Sequence, residues 1–180
     1  MLLYVAFQSS RDGFNPFLIL IMFGFVLSVF FCVVLHEFGH ALMARRFGVK
    51  TFDIIMTPIG GIARLERMPD GKAQEFWVAI AGPMVNFTIV GLIWLGYWVF
   101  RDVQLPIFSR SFWSIEDKGF QYFILLMLSN GYLGAFNLLP AFPMDGGRML
   151  RSLLSLRMSR VKATQIASYT GQALAAVLFL

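Results

Sequence analysis

The sequence predicts an all-α polytopic membrane protein, a bundle of transmembrane helices with a small re-entrant β-hairpin or loop between the first two spans. Two observations predict this class. Apolar residues make up 58% of the 180 residues and charged residues only 14%, whereas soluble domains carry about 25% charged residues. Uncharged apolar runs also recur, each near the roughly 20 residues that a helix needs to cross a bilayer. We therefore expect a single transmembrane core over residues 1–180, surrounded by lipid.

Four spans are predicted, over residues 17–46, 76–100, 122–138 and 164–180. The first contains no charge as far as Leu35 and continues helically to two arginines. The opening residues lack the basic start and cleavage pattern of a signal peptide. Because the chain stops inside an apolar run, we expect it to be truncated at both ends.

Between the first two spans lie two short stretches rich in β-branched residues, 51–56 and 62–65, which Gly60 and Gly61 separate. Paired glycines between such stretches are typical of a tight turn. The sequence therefore predicts a hairpin or a re-entrant loop here.

The lysines and arginines predict the orientation. Eleven of the 15 fall on one side of the predicted spans, and such residues favour the cytoplasm. We therefore expect a multi-pass protein of the cell membrane. The net charge of +5 needs no nucleic acid to explain it, because no groove-reading motif accompanies it.

Both histidines of the chain lie in His36-Glu37-Phe38-Gly39-His40, at the cytoplasmic end of the first span. Positions four apart share a helix face about 6 Å apart along the axis, so His36 and His40 can bind one zinc ion. Glu37 would then lie beside the ion, as a general base does. The alternative, two packing histidines and a buried glutamate, leaves Glu37 without a basic partner in the preceding span. Cys32 is the single cysteine, which argues against a thiolate site.

A catalytic zinc ion has three protein ligands and one open position, so the third ligand must be a carboxylate. Acids on the opposite side are excluded, which leaves five candidates: Asp53, Glu66, Asp70, Glu75 and Asp145. Asp145 is favoured because it follows the third apolar span in a proline-interrupted segment at membrane depth. The other four belong to a charged loop that we expect to be solvated. An alternative for Asp145 is that it caps the helix that follows.

These motifs, in this order, resemble the site-2 proteases, a family of intramembrane zinc metalloproteases. The resemblance rests on the histidine motif, the glycine hairpin with the charged segment after it, Ala81-Gly82-Pro83-Met84-Val85-Asn86, and the segment from Asn137 to Arg148. The chain is most similar to the compact archaeal and bacterial branch, whose members often carry CBS domains after the membrane core. No CBS domain falls within the 180 residues.

The resemblance implies a single transmembrane metalloprotease core with one zinc ion. It implies that His36, His40 and Asp145 are the zinc ligands and that Glu37 is the general base and then the general acid. Asn137, with Asn86 second, is a candidate for substrate contact or oxyanion stabilisation. A helix-to-helix hydrogen bond is the alternative for both asparagines, above all for Asn86.

The implied function is intramembrane endopeptidase activity on a transmembrane segment of a membrane protein, in regulated intramembrane proteolysis. Such a substrate would be an anti-sigma factor or a membrane-tethered regulator. We expect the hairpin to lie near the active site and to pair with the unwound substrate, although a loop that only fills the core is an alternative. We also expect the active site, and the entry of water, toward the cytoplasmic side.

A zinc-binding membrane transporter or a catalytically inactive relative is the rival interpretation. Transport paths distribute polar residues across several spans, whereas here they gather at one depth, which favours the protease.

Overall fold

A computed structural model describes residues 16–57, 60–66, 71–100 and 118–178. Within these ranges the chain is mostly helical, as its composition predicts. The elements, in chain order, are α1 (Pro16–Arg46), β1 (Thr51–Thr57), β2 (Gly60–Leu65), α2 (Lys72–Phe100), α3 (Lys118–Asn137), α4 (Asp145–Ser155) and α5 (Arg160–Leu178).

Some residues used in the sequence predictions lie outside the described ranges. They include two residues between the strands, one candidate ligand, the acids excluded as ligands and four arginines used for the orientation: Arg11, Asp12, Pro58, Ile59, Arg67, Asp70, Arg101, Asp102, Arg110, Glu116 and Asp117.

In the described part of the chain, two helices are long and apolar enough to cross a membrane, α1 from Ile19 onwards and α2 over its full length. Both carry large apolar side chains on their outer surfaces, such as Phe23 and Phe31 on α1 and Trp94 on α2. Membrane character is thus supported by these two helices. Helices α3 and α5 cover most of the third and fourth predicted spans, and their crossing of the membrane stays a prediction.

Helix α1 ends in a Schellman motif that turns the chain into the hairpin. Gly48 has φ +76°, its N–H donates to the carbonyl of Arg45, and the N–H of Val49 donates to the carbonyl of Ala44. Val49 is buried against Ala44 and Val78 of α2. Both hydrogen bonds and the apolar contact belong to this helix-terminating motif, so the histidine-bearing end of α1 is fixed.

Strands β1 and β2 form an antiparallel pair, with Thr57 opposite Gly60 and Thr51 opposite Leu65, and with an irregularity between Thr51 and Asp53. An antiparallel strand pair is therefore present where the sequence predicts a hairpin or a re-entrant loop, and its re-entrant position in a membrane stays a prediction. Gly60 and Gly61, however, are the first two residues of β2. The prediction that they form the turn is therefore wrong.

Helix α2 is central, since it contacts α1, α3 and α4. At its start the side chain of Gln74 accepts from the N–H of Gly71, half of a capping box. Gly39 of α1 packs against the backbone of Ala81, where an added Cβ would lie 2.8 Å from the Ala81 oxygen. The crossing of α1 and α2 at these small residues brings the histidine motif against the Ala81–Asn86 motif.

Candidate metal centre

His36 and His40 lie one turn apart on the buried face of α1, with exposed fractions of 3% and 4%. Their Nε2 atoms are 3.1 Å apart. The spacing of four residues therefore brings the two rings to one point, as predicted from the helix period.

The other ring nitrogen of each histidine forms a hydrogen bond with a residue of α2. Nδ1 of His36 lies 2.6 Å from Oδ1 of Asn86, and Nδ1 of His40 lies 2.7 Å from the carbonyl oxygen of Val78. Both partners are oxygen acceptors, so both Nδ1 atoms carry the proton. In the neutral rings the lone pairs of both Nε2 atoms then face the same point, which is the tautomer that metal-binding histidines adopt.

Asp145, the first residue of α4, brings its Oδ2 atom to the same point, 3.2 Å from Nε2 of His36 and 3.1 Å from Nε2 of His40. The residue at the N-cap is Met144, and no side chain caps the helix. The alternative that Asp145 is a helix cap is therefore not what the structure shows.

Two glycines allow α4 to begin so close to the centre. A Cβ at Gly146 would overlap the carbonyl oxygens of Leu138 and Leu139, and a Cβ at Gly147 would lie 2.7 Å from the carbonyl carbon of Ala141. The first turn of α4 thus packs closely against the segment that follows α3. This contact determines where Asp145 lies.

The three converging atoms fit a zinc ion. Zinc binds nitrogen and oxygen at about 2.0–2.1 Å in tetrahedral geometry, which puts ligand atoms about 3.3–3.4 Å apart. The three separations here are 3.1–3.2 Å. Two nitrogen lone pairs and a carboxylate oxygen also repel one another unless a cation lies between them. Among the described residues, His36, His40 and Asp145 form the group of this kind.

Gly82 of α2 lies directly against the centre. A Cβ there would overlap Nε2 of His40 and would lie 2.6 Å from Nε2 of His36. Only a residue without a side chain leaves room for the two rings, which explains a glycine at this position of the Ala81–Asn86 motif.

Glu37 follows His36 in α1 and is half-buried. It is close enough to His40 for its carboxylate to act electrostatically on that ring. A carboxylate is thus present beside the centre without being one of the three converging groups.

The two asparagines have different surroundings. Asn86 has no exposed surface, and its amide bonds both His36 and Asn130 of α3. The helix-to-helix alternative describes this geometry, so substrate contact by Asn86 would require breaking those bonds. Asn137 is the half-buried last residue of α3, before the segment that leads to Asp145. It stays a candidate for substrate contact.

Among the described residues, the other candidate acids, Asp53, Glu66 and Glu75, do not belong to the converging group. Asp53 and Glu66 are exposed. The expectation that Glu75 lies in a solvated loop is wrong, because it is buried in the first turn of α2. There it accepts hydrogen bonds from Arg151 of α4 and Arg160 of α5. Glu75 was assigned to a loop because its neighbours in sequence are charged. Its partners Arg151 and Arg160 belong to helices that lie about 80 residues later in the chain.

Sequence reasoning did not identify the roles of Gly82 and Asn130. The signal for Asn130 was an amide within an apolar run. Gly82 was noted only as part of the Ala81–Asn86 motif. Its role could not be predicted, because it depends on which residues of α1 lie against it.

Comparisons with known proteins identify relatives of this chain. The sequence profile of peptidase family M50 matches residues 24–104 and 103–178. A zinc metalloprotease of Methanocaldococcus jannaschii is 42% identical over 152 residues, which are 84% of this chain and 40% of that protein. Stage IV sporulation protein FB of Bacillus subtilis is 30% identical over 144 residues, 78% of this chain and 44% of that protein.

Among solved structures, a site-2 protease from Methanocaldococcus jannaschii matches with a TM-score of 0.64 and 35% identity. The match covers 99% of this chain and 74% of that one. The chain therefore spans less than half the length of the two curated relatives and about three-quarters of the solved structure.

Proposed function

The chain belongs to peptidase family M50, which confirms the resemblance to site-2 proteases, and from this we propose that it is a zinc-dependent endopeptidase that cleaves a transmembrane segment of a membrane protein. His36, His40 and Asp145 would hold one zinc ion. The observation that carries the proposal is the convergence of two Nε2 atoms and one carboxylate oxygen within 3.2 Å of one another, with both Nδ1 protons already given to oxygen acceptors.

The chemistry that zinc supplies at such a centre is Lewis acidity, which lowers the pKa of water toward about 7 and polarises a peptide carbonyl. With three converging groups among the described residues, the protein would leave one position open to water and substrate. Val78 and Asn86 hold the two rings in the orientation that this requires.

Glu37 is proposed as the proton carrier. As general base it takes the proton of the attacking water while the water oxygen bonds to the peptide carbon. As general acid it gives that proton to the peptide nitrogen while the carbon–nitrogen bond breaks. The amine then leaves in neutral form, and Glu37 ends the cycle as a carboxylate.

A transmembrane substrate must unwind before its carbonyls are accessible. The exposed Phe52 and Asp53 of β1 support a role of the hairpin as an edge with which the released backbone pairs. Asn137 would donate its amide N–H to the substrate carbonyl. We propose regulated intramembrane proteolysis as the setting, with a membrane-spanning regulator as substrate.

The proposed arrangement in the membrane has four spans, over residues 17–46, 76–100, 122–138 and 164–180, with the hairpin re-entrant. The bias of lysine and arginine supports a cytoplasmic position for the active site and the entry of water.

Glu37→Gln tests the proposal, because an amide of the same size cannot carry the proton. Purified variant and parent are compared for zinc content and for cleavage of reconstituted single-span test proteins. We expect equal zinc content and a loss of cleavage of about 10²- to 10⁴-fold. A variant that cleaves at the parental rate would remove Glu37 from the mechanism. A parent that binds zinc and cleaves none of the test proteins would favour the inactive relative.

A further inference from the structure

Three hydrogen bonds lead from His36 into the backbone of α3. Nδ1 of His36 lies 2.6 Å from Oδ1 of Asn86, Nδ2 of Asn86 donates to Oδ1 of Asn130 at 3.2 Å, and Nδ2 of Asn130 donates to the carbonyl oxygen of Leu126 at 2.9 Å. Asn86 and Asn130 have exposed fractions of 0% and 1%. The chain of bonds is therefore shielded from water and lipid.

The direction of these bonds is determined at the end farthest from His36. A backbone carbonyl can only accept, so Asn130 must turn its NH₂ group to Leu126 and its oxygen to Asn86. Asn86 must then turn its NH₂ group to Asn130 and its oxygen to His36. An oxygen at this position requires the proton of His36 on Nδ1, which leaves the Nε2 lone pair for a metal.

We infer that Asn130 is a positioning residue that, through Asn86, sets the tautomer of His36 and so the affinity for zinc. The inference rests on the proposed function, in which His36 is a zinc ligand. Asn130 itself contacts neither the ring nor the metal site.

Loss of the Asn130 side chain would give Asn86 a second orientation. Its amide could rotate by half a turn and offer NH₂ to Nδ1 of His36. The proton of His36 would move to Nε2, where it can donate to Oδ2 of Asp145, 3.2 Å away. Zinc would then compete with a hydrogen bond that the parent does not form.

His40 is an internal control. Its Nδ1 donates to the backbone oxygen of Val78, which cannot rotate away, so its tautomer depends on no asparagine. The chain contains only these two histidines, so the nitrogen spectrum of the protein labelled with ¹⁵N-histidine contains just two rings.

Gly134, one turn after Asn130, allows α3 to approach α2 at this point, since a Cβ there would lie 3.3 Å from the Cβ of Asn86. A purely structural role for Asn130, as a tie between α2 and α3, would stabilise the bundle without changing a histidine tautomer. The tautomer therefore distinguishes the two roles.

The experiment compares the parent, Asn130→Leu and Asn130→Asp. In the zinc-free parent, ¹⁵N shifts of both histidines should report the proton on Nδ1. In Asn130→Leu we expect the proton of His36 to move to Nε2 while His40 is unchanged, and zinc affinity in a chelator competition to fall about tenfold, the low end for an outer hydrogen-bond partner. Asn130→Ala carries the same expectation if the leucine variant does not fold.

Asn130→Asp should restore the parental tautomer and bring zinc affinity to within about threefold of the parent. A buried acid without a cationic partner stays neutral, so its O–H would donate to the carbonyl oxygen of Leu126 and its own carbonyl oxygen would accept from Asn86. Tyr122→Phe is the matched control, because Tyr122 is on the same helix and its hydroxyl hydrogen-bonds Ser28 and Gly24 of α1 but leads to no histidine. It should leave tautomers and zinc affinity as in the parent.

Parental tautomer and affinity in Asn130→Leu would overturn the inference, and so would equal losses in Asn130→Leu and Tyr122→Phe. His36→Ala separates this from the proposed function. If His36→Ala loses zinc and Asn130→Leu does not, only the inference fails, whereas a His36→Ala variant that keeps parental zinc affinity contradicts the proposed metal centre.

Discussion

Glu75 in the first turn of α2 and Arg151 in α4 form a buried ion pair, in which Nε of Arg151 donates to Oε1 of Glu75 at 2.8 Å. Arg160, at the start of α5, donates to the other oxygen of Glu75 at 2.7 Å. Helix α4 begins with Asp145, and α2 contains Gly82, which lies against the histidines. The ion pair therefore holds together the two helices that meet at the candidate metal centre.

Removal of Glu75 should destabilise the protein more than removal of the half-exposed Arg160. Glu75→Ala leaves Arg151, with an exposed side-chain fraction of 16%, without its carboxylate, which costs roughly 3–5 kcal/mol for a buried pair. Arg160→Ala is the control, because Arg160 is half-exposed and such pairs contribute about 1 kcal/mol or less. Unfolding in detergent measures both, and equal losses would contradict a buried pair.

Gly82→Ala should abolish zinc binding without unfolding the helix. The added methyl group would overlap the Nε2 atoms of both histidines, and displacement of ligands by about 1 Å costs about 100-fold in activity. Gly91→Ala in the same helix is the matched control, since a Cβ there meets nothing within 4 Å in the described part of the chain. Zinc content, activity and helix content are measured for both. A Gly82→Ala variant with parental zinc content would show that the rings lie elsewhere.

Asp145→Asn should lose zinc, whereas Asp53→Asn and Glu66→Gln should not. All three acids were candidates for the third ligand, but only Asp145 is buried beside the histidines. Loss of a direct ligand should cost more than the roughly 10- to 100-fold that loss of an outer partner costs. Competition with a chelator measures the affinity. Parental affinity in Asp145→Asn would exclude it as a ligand.

Asn137→Leu should slow cleavage and leave zinc content unchanged. Loss of one amide donor to a developing oxyanion costs about 10²- to 10³-fold in kcat. Tyr132→Phe, at an exposed position of α3, is the control and should cleave as the parent does. If Asn137→Leu loses zinc together with activity, Asn137 supports the fold of the segment before Asp145 and does not contact substrate.

Proline substitutions along β1 should lower cleavage at alternate positions. Proline removes a backbone N–H, and in a strand only every second N–H points away from the neighbouring strand. If substrate pairs with the edge of β1 that faces away from β2, the affected positions between Phe52 and Met56 will be those whose N–H points away from β2. Cleavage and zinc content are measured together. Unchanged cleavage at all of these positions would exclude substrate pairing along β1.

The local part of this site could be predicted from sequence. The helix period alone puts His36 and His40 on one face. Because the chain has few other groups that bind zinc, the third ligand is predicted to be a carboxylate. The segment around Asp145 was recognisable because prolines and glycines interrupt an apolar stretch. The structure adds the short helix α4, in which Asp145 is the first residue and not a cap.

The parts that could not be predicted depend on contacts between helices. Asn86 was equally compatible with a substrate contact and a structural bond, because its role is decided by which residue of α1 it faces. Glu75 was misassigned for the same reason, since its partners Arg151 and Arg160 come from distant helices. Sequence spacing carries no information on how α2, α4 and α5 meet.

X-ray absorption at the zinc edge of the purified protein tests the central claim most directly, that His36, His40 and Asp145 form a zinc centre. We expect about one zinc ion per chain, with only nitrogen and oxygen neighbours at about 2.0–2.1 Å and with the outer-shell scattering of two imidazole rings. Sulfur scattering at about 2.3 Å, zinc without imidazole, or protein without zinc would contradict the account.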